Sequence, residues 1–419
     1  MTAPAAGSPD SEARHGLGRV EFIILISMVT ATIAMSIDTV LPAYEEMEQF
    51  FGLGDGTRNI SLTITVFLFG LGAGTIFYGP LTDRFGRKPI MYLGLSVFIG
   101  GAVFATIAST FTMFLIGRFI WGVGAAGPRI VALAITRDSY EGDLMARIMS
   151  FSFAVFLIVP ILAPSMGAVL LRFGSWRWTT GIAAVMAGFI AVWFGRMHET
   201  LPASERQSLR VGHLFSAARK VATNRTTAAL TLASIFAYGA FFPWLGSSFT
   251  MISRIYGRED SFALWFGLNA VLMAIAVLTT ERLVNRFSAY PVLLGWTFIG
   301  LAVAGVFVVV ASANDGVPPF LVFFAMVSVI TAANTCSSPL MSSISMGPMG
   351  DIAGTASSVI GVLLFIVGAW LGAQIDARIV DTVTPFGVGF LAFTLVSMVG
   401  VIAGRPEPHK TEEAVLVQA

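Results

Sequence analysis

Long apolar stretches broken by short polar ones fill the chain between residues 20 and 404. A membrane-crossing helix needs about 20 mainly apolar residues. On that rule the pattern predicts spans near 20–43, 59–80, 89–109, 111–135, 148–171, 179–196, 227–252, 262–280, 290–312, 317–341, 354–376 and 385–404. The thinnest of the breaks is "IASTFTM", between the third and fourth spans.

Composition agrees with this pattern. Of 419 residues, 56% are hydrophobic and 12% charged, against about 25% charged in a soluble domain. So few charges cannot wet a globular surface, and the expected solvent is a lipid bilayer. A net charge of +1 gives no reason to expect a nucleic-acid partner. The single cysteine, Cys336, sits in an apolar run and can make neither an intrachain disulfide nor a metal cluster; it reads as packing. The first twenty residues are polar and small, without the layout of a cleaved signal, and read as a cytoplasmic tail.

Basic residues set the orientation. With both termini on the cytoplasmic side, most of the 25 fall in cytoplasmic segments. Arg58, Arg172, Arg177, Arg254, Arg258 and Arg378 fall on the other side, and Arg118 and Arg129 lie within a span. This is the positive-inside bias of a multi-pass protein of the cell (inner) membrane. The longest internal polar segment, 198–225, separates spans six and seven. Leu214, Ala218 and Val221 could make one apolar stripe on a short surface helix; the plainer reading is a solvated linker. The expected organisation is a tail over 1–19, a six-helix half over 20–197, the linker over 198–225, a second half over 226–404 and a tail over 405–419. A repeat supports it: "GPLTDRFGRKPIMY" from Gly79 is echoed by "ERLVNRFSAYPVLL" from Glu281, Asp83 becoming Asn285. Two parallel six-helix halves with a substrate site between them are one plan for a secondary transporter.

Four groups of residues carry candidate chemistry. In the loop after span two, Gly79 and Gly86 allow a tight turn and close helix approach. Asp83 sits at a helix C-terminus, where a carboxylate is disfavoured unless compensated. Arg84, Arg87, another basic loop residue or a helix N-terminus of the other half could compensate it, and such a charge suits a conformational latch. Within the membrane, ionisable residues are functional candidates by default. Asp38 lies about 24 Å along span one from Phe22, and a carboxyl group there could exchange a proton with either side as access alternates. Arg118 of span four lies at comparable depth and is expected to pair with Asp38. Arg129, on nearly the same helical face, either lines the cavity or snorkels to the cytoplasmic interface. In span five, Pro160 and Pro164 remove backbone hydrogen bonds on one face, with Gly167 a turn further, and predict a bent, stiff helix. Aromatics and a few polar groups are expected to line the cavity, with Phe153, Phe156, Tyr238, Phe242, Trp244, Asn269, Asn334 and Gln374 as candidates.

These motifs resemble those of the major facilitator superfamily. "GPLTDRFGRKP" is similar to its loop 2–3 signature, which implies a state-stabilising role for Asp83. "RFIWGVGAA" resembles its span-four motif, linked there to proton transfer, with Trp121 where Gln is usual. "SIDTVLPA" resembles a span-one stretch of drug/proton antiporters related to bicyclomycin-resistance and chloramphenicol exporters, with Val40 where Tyr is usual. The segment Ala163-Pro164-Ser165-Met166-Gly167-Ala168 resembles the antiporter motif of drug exporters, two glycines having become alanines, and "GPMGDIAGTASSVIGVLL" resembles the same subgroup. The resemblance implies an all-α membrane protein of 12 helices in two pseudo-symmetric halves, acting as a proton-coupled multidrug efflux antiporter by alternating access. It implies a monomer that handles small molecules and protons, with no metal, cofactor or catalytic residue. The alternative is a uniporter or importer of a small metabolite with the same fold. The chain has no GxxxxGK[ST] motif, so ATP is not expected to power it directly.

Overall fold

The computed structural model describes residues 15–53, 57–140, 142–206 and 211–406. The helices are α1 (Arg19–Asp38), α2 (Tyr44–Phe51), α3 (Thr57–Phe85), α4 (Arg87–Thr106), α5 (Phe111–Ser139), α6 (Gly142–Phe173) and α7 (Arg177–Phe194). They continue with α8 (Val211–Thr223), α9 (Arg225–Phe249), α10 (Phe262–Phe287), α11 (Ala289–Ser312), α12 (Phe320–Met346), α13 (Ala353–Asp376) and α14 (Thr384–Ala403). No strand occurs among the described residues. That is the expected solution for an apolar chain, since a helix satisfies its own backbone groups where no water can. Among the described residues, eleven helices are long and apolar enough to cross a membrane, and Ile158–Phe173, the later part of α6, adds a shorter apolar one. The count thus stands at eleven against the twelve expected, and the difference lies at the fifth span.

Boundaries follow local chemistry. The short break between spans three and four is real: α4 ends at Thr106, and the Thr110 side chain accepts a hydrogen bond from Met113 N (3.2 Å) to cap α5. Span seven runs past its expected end, because α9 continues into a π-helical turn over Thr250–Ile255. The linker contains a helix, α8, rather than solvated chain alone. It buries Ala217 and Val221, the latter against Met349, Ala356 and Ile360, while Ala218 is half-buried. The Leu214 side chain lies outside the described residues.

The repeat seen in sequence recurs in the backbone. Gly86 precedes α4 with φ 99° and ψ 165°; its counterpart Ser288 precedes α11 with φ 64° and ψ 165°. The second half keeps this turn although the residue is no longer glycine, so geometry outlasts the motif.

Small residues set the packing within the first half. A Cβ on Gly94 of α4 would lie 2.6 Å from Pro128 Cδ of α5, and one on Gly117 of α5 would lie 2.7 Å from Ala105 N of α4. Neither helix could approach so closely with larger side chains. Two seams join the halves: α3 packs on α13, and α6 on α10. At the end where α1 meets α2, Arg254 bonds Glu48 across the halves and Tyr44 packs edge-on against Phe249 at 6.0 Å. That end is closed. At the opposite end lie the α3–α4 turn and α8.

Candidate functional site

The closed end gathers the buried charges. Asp38 is the last residue of α1 and is 2% exposed, with Oδ1 lacking a hydrogen-bond partner. Arg118 of α5 is 0% exposed. Its Nε donates to the Thr63 carbonyl (3.1 Å) and its Nη1 to the Ser36 carbonyl (2.8 Å). The guanidinium lies over the rings of Phe67 (4.7 Å) and Trp121 (4.8 Å). The expected Arg118–Asp38 ion pair is not among those of the described residues. Arg118 instead engages the α1 backbone two residues before the acid, because a planar fork of donors reaches two carbonyls at once. Trp121, standing where the motif usually has Gln, supplies one of the two faces that hold it.

Behind Asp38 stands the proline-bearing helix. Pro160 and Pro164 both lie inside α6. A Cβ on Gly167 would lie 3.4 Å from Pro42 Cδ and would collide with the Thr39 carbonyl. Glycine there lets α6 press on the segment that directly follows the acid. Across the seam, Ile161 of α6 faces Gly267 of α10.

At the far end, Asp83 finds its compensation within its own half. Arg87 Nη1 donates to Asp83 (2.7 Å) and Arg87 Nε to Asp138 at the end of α5 (2.7 Å). The Asp83 side chain is 49% exposed. Arg84 is exposed and lies over Phe85. Glu199 accepts from Arg87 N (2.8 Å) and Lys88 N (3.0 Å), capping α4. Gly86 is required here twice over: its φ is positive, and a Cβ would lie 2.5 Å from Glu199. A Cβ on Gly79 would lie 3.0 Å from Ser358 of α13, so Gly79 marks close contact between the halves.

The middle of the inter-half space is aromatic on one side. Tyr238, Phe242 and Phe365 form a cluster, with Tyr238 to Phe242 at 5.5 Å, and the Arg129 guanidinium lies over Phe365 at 5.0 Å. Arg129 is exposed, as are Leu133 and Arg137 on the same face of α5. Asn269 is buried and ties α10 to α12 through Ser328 (3.3 Å) and Thr331 (3.1 Å). Asn334 donates to the Ala237 carbonyl (2.9 Å). These two amides join helices of the second half to one another. The side chains of Phe153 and Phe156 lie outside the described residues. No cluster of three or more metal-ligating side chains occurs among the described residues.

The family model of the Major Facilitator Superfamily matches residues 25–373. The chain belongs to the Major Facilitator Superfamily. As a facilitator it is a multi-pass membrane transporter of small-molecule substrates, not an enzyme. It is 27% identical over 375 residues to the bicyclomycin resistance protein homolog of Haemophilus influenzae, covering 87% of this chain and 91% of that one. It is 25% identical over 361 residues to the multidrug resistance protein MdtL of Escherichia coli O139:H28, covering 84% and 89%. Among solved structures, the proton:xylose symporter XylE superposes with a TM-score of 0.72 at 13% identity, covering 91% of this chain and 94% of that one. The human organic anion transporter MFSD10 gives 0.66 at 15% identity, with 92% and 99% covered. At these identities the two structures speak for the fold alone.

Sequence reasoning missed four residues of this facilitator. Asp138 and Glu199 complete the Arg87 network from 51 and 112 residues away. Tyr44 is buried within electrostatic range of Asp38, Arg118 and Asp376, and Asp376 is a buried acid of the second half. Asp376 closes an apolar run of full membrane length, where an acid reads as an interfacial end. Its burial and its hydrogen bond from Ser247 Oγ show it to be inside the protein.

Proposed function

We propose that this facilitator is a proton-coupled exporter of amphipathic small molecules that works by alternating access. It sits in the inner membrane with twelve spans in two six-helix halves, joined by the 198–225 linker, and both termini cytoplasmic. The observation that carries the reading is Asp38: a carboxyl group 2% exposed, with a free oxygen, at the closed end of the seam between the halves.

Its surroundings fit that role. A buried carboxylate without a partner is costly, so closing this end around Asp38 favours the protonated acid. Opening it returns the group to water, where the proton can leave and a substrate can take its place. Arg118 fixes the α1 backbone beside the acid, and the α6 prolines with Gly167 hold a rigid wall behind it. Asp83, Arg84 and Arg87, between Gly79 and Gly86, form the latch at the cytoplasmic end, with Arg87 able to hand Asp83 over or retain it. Arg129 with Tyr238 and Phe242 supplies the substrate-facing surface. Efflux rather than uptake is favoured by the bicyclomycin- and multidrug-resistance names of the relatives and by the Pro164–Gly167 motif.

Transport into everted vesicles tests the reading. With an acid-inside gradient, vesicles from an overexpressing host should accumulate a fluorescent lipophilic cation, and collapsing the gradient with an uncoupler should release it. Uptake that is indifferent to the gradient identifies a uniporter instead.

A further inference from the structure

Four helices of the second half form a ring: α9 packs on α12 and α14, and α11 packs on the same two. The ring encloses a cavity of about 20 Å³, walled by Ala237 of α9, Thr297 and Gly300 of α11, Asn334 of α12 and Thr394 of α14. The repeat shows where the room comes from. At the offset that pairs Gly79 with Glu281, Gly300 is the counterpart of Phe98. Phe98 is 1% exposed and packs edge-on against Trp121 at 5.6 Å, so the first half fills this position with a ring. The second half has no side chain there.

The walls are polar, whereas a packing gap that stays dry is apolar. In an apolar helix the ready partner of a serine or threonine hydroxyl is a carbonyl one turn back on its own helix. Thr297 and Ser337, both on the cavity wall, follow that habit with the Leu293 and Ala333 carbonyls (2.8 Å each). Thr394 and Ser397 do not. They lie three residues apart on one face of α14, are 7% and 2% exposed, and neither hydroxyl has a partner among the described residues. Trp296 of α11 brings a third such atom to the same cavity, its buried Nε1. Asn334 has its amide donor committed across the ring to the Ala237 carbonyl (2.9 Å).

These groups select what fits. A single water needs a cavity of about 10–15 Å³ and makes about three hydrogen bonds, which the indole and the two hydroxyls supply. The indole N–H is a donor only, so it repels a cation. Among the described residues no charged side chain lines the cavity, so an anion would be buried without compensation. We infer that the second half holds one internal water in this ring, accepting from Trp296 Nε1 and bonded to the Thr394 and Ser397 hydroxyls. It ties α11 to α14 through the middle of the half. The site lies wholly within one half and does not rest on proton coupling.

Two measurements on the full chain in liposomes test the site. The first is water-edited solid-state NMR of the indole N–H groups, with the Trp296 signal assigned by its loss in Trp296→Phe. Polarisation should pass from water to the Trp296 indole. Its shift should be the same in sodium, potassium and choline buffers, and with chloride replaced by gluconate. The second is thermal unfolding of Thr394→Val and Ser397→Ala, which needs no assignment and serves where Trp296→Phe does not fold. With a bound water each substitution removes a hydrogen bond, and both variants should unfold below the wild type. In a dry cavity each would remove a buried hydroxyl that has no partner, and both would unfold above it. An indole that receives no polarisation from water, a shift that follows the identity of the ion, or either variant unfolding at or above the wild-type temperature overturns the inference.

Discussion

Two side chains show how far a single residue is determined by its surroundings. Arg118 is held by two carbonyls and two ring faces at once. A lysine offers a point charge with no plane to stack and cannot serve both carbonyls, and each buried cation–π contact contributes about 0.5–2 kcal/mol. Arg118→Lys is therefore expected to abolish gradient-driven transport while the protein still inserts, and to lower the thermal unfolding temperature in detergent. Transport at the wild-type rate would show that the charge alone suffices. Glu199 caps α4 from across the half. Glu199→Ala should cost about 1 kcal/mol, the usual size of an N-cap, and a thermal shift assay that sees no loss contradicts the cap. Asp38 and Arg118 were legible in the sequence because charges within apolar runs stand out. Glu199, Asp138, Tyr44 and Asp376 were not. The first two act through partners far along the chain, and the last two sit where a span meets its end and polar residues are ordinary.

Helices were legible as elements, and their contacts were not. Apolar length alone located eleven of the twelve expected spans among the described residues, since membrane helices satisfy their backbones locally. It could not say that α6 presses Gly167 against the Thr39–Pro42 segment, because that depends on which helices meet. Gly167→Leu must push α6 away from the residue next to Asp38 and is expected to remove transport with little change in membrane insertion. Retained transport would detach α6 from the coupling site. The linker helix α8 escaped a plain reading because its apolar stripe is short and packs against residues far along the chain, Met349, Ala356 and Ile360. The repeat is firmer in geometry than in sequence. Ser288 holds a backbone conformation that favours glycine, with a typical strain of about 1–3 kcal/mol. Ser288→Gly should raise the unfolding temperature, and a fall would mean the hydroxyl contributes more than the strain removes.

At the scale of the molecule, the two halves meet along α3–α13 and α6–α10 and are clasped at one end by Glu48 and Arg254. Breaking that clasp with Arg254→Ala leaves Glu48 uncompensated and should bias the pair of halves toward opening at that end, seen as faster alkylation of a Met47→Cys variant, whose position is fully buried. Unchanged accessibility would show that the aromatic contact with Phe249 closes the end by itself. All of these effects converge on one buried acid. Purified Asp38→Asn protein in liposomes with an imposed pH gradient gives the most direct test. The variant is expected to exchange labelled lipophilic cation for unlabelled across the membrane but to build no gradient of it. Accumulation equal to that of the wild type would contradict the account.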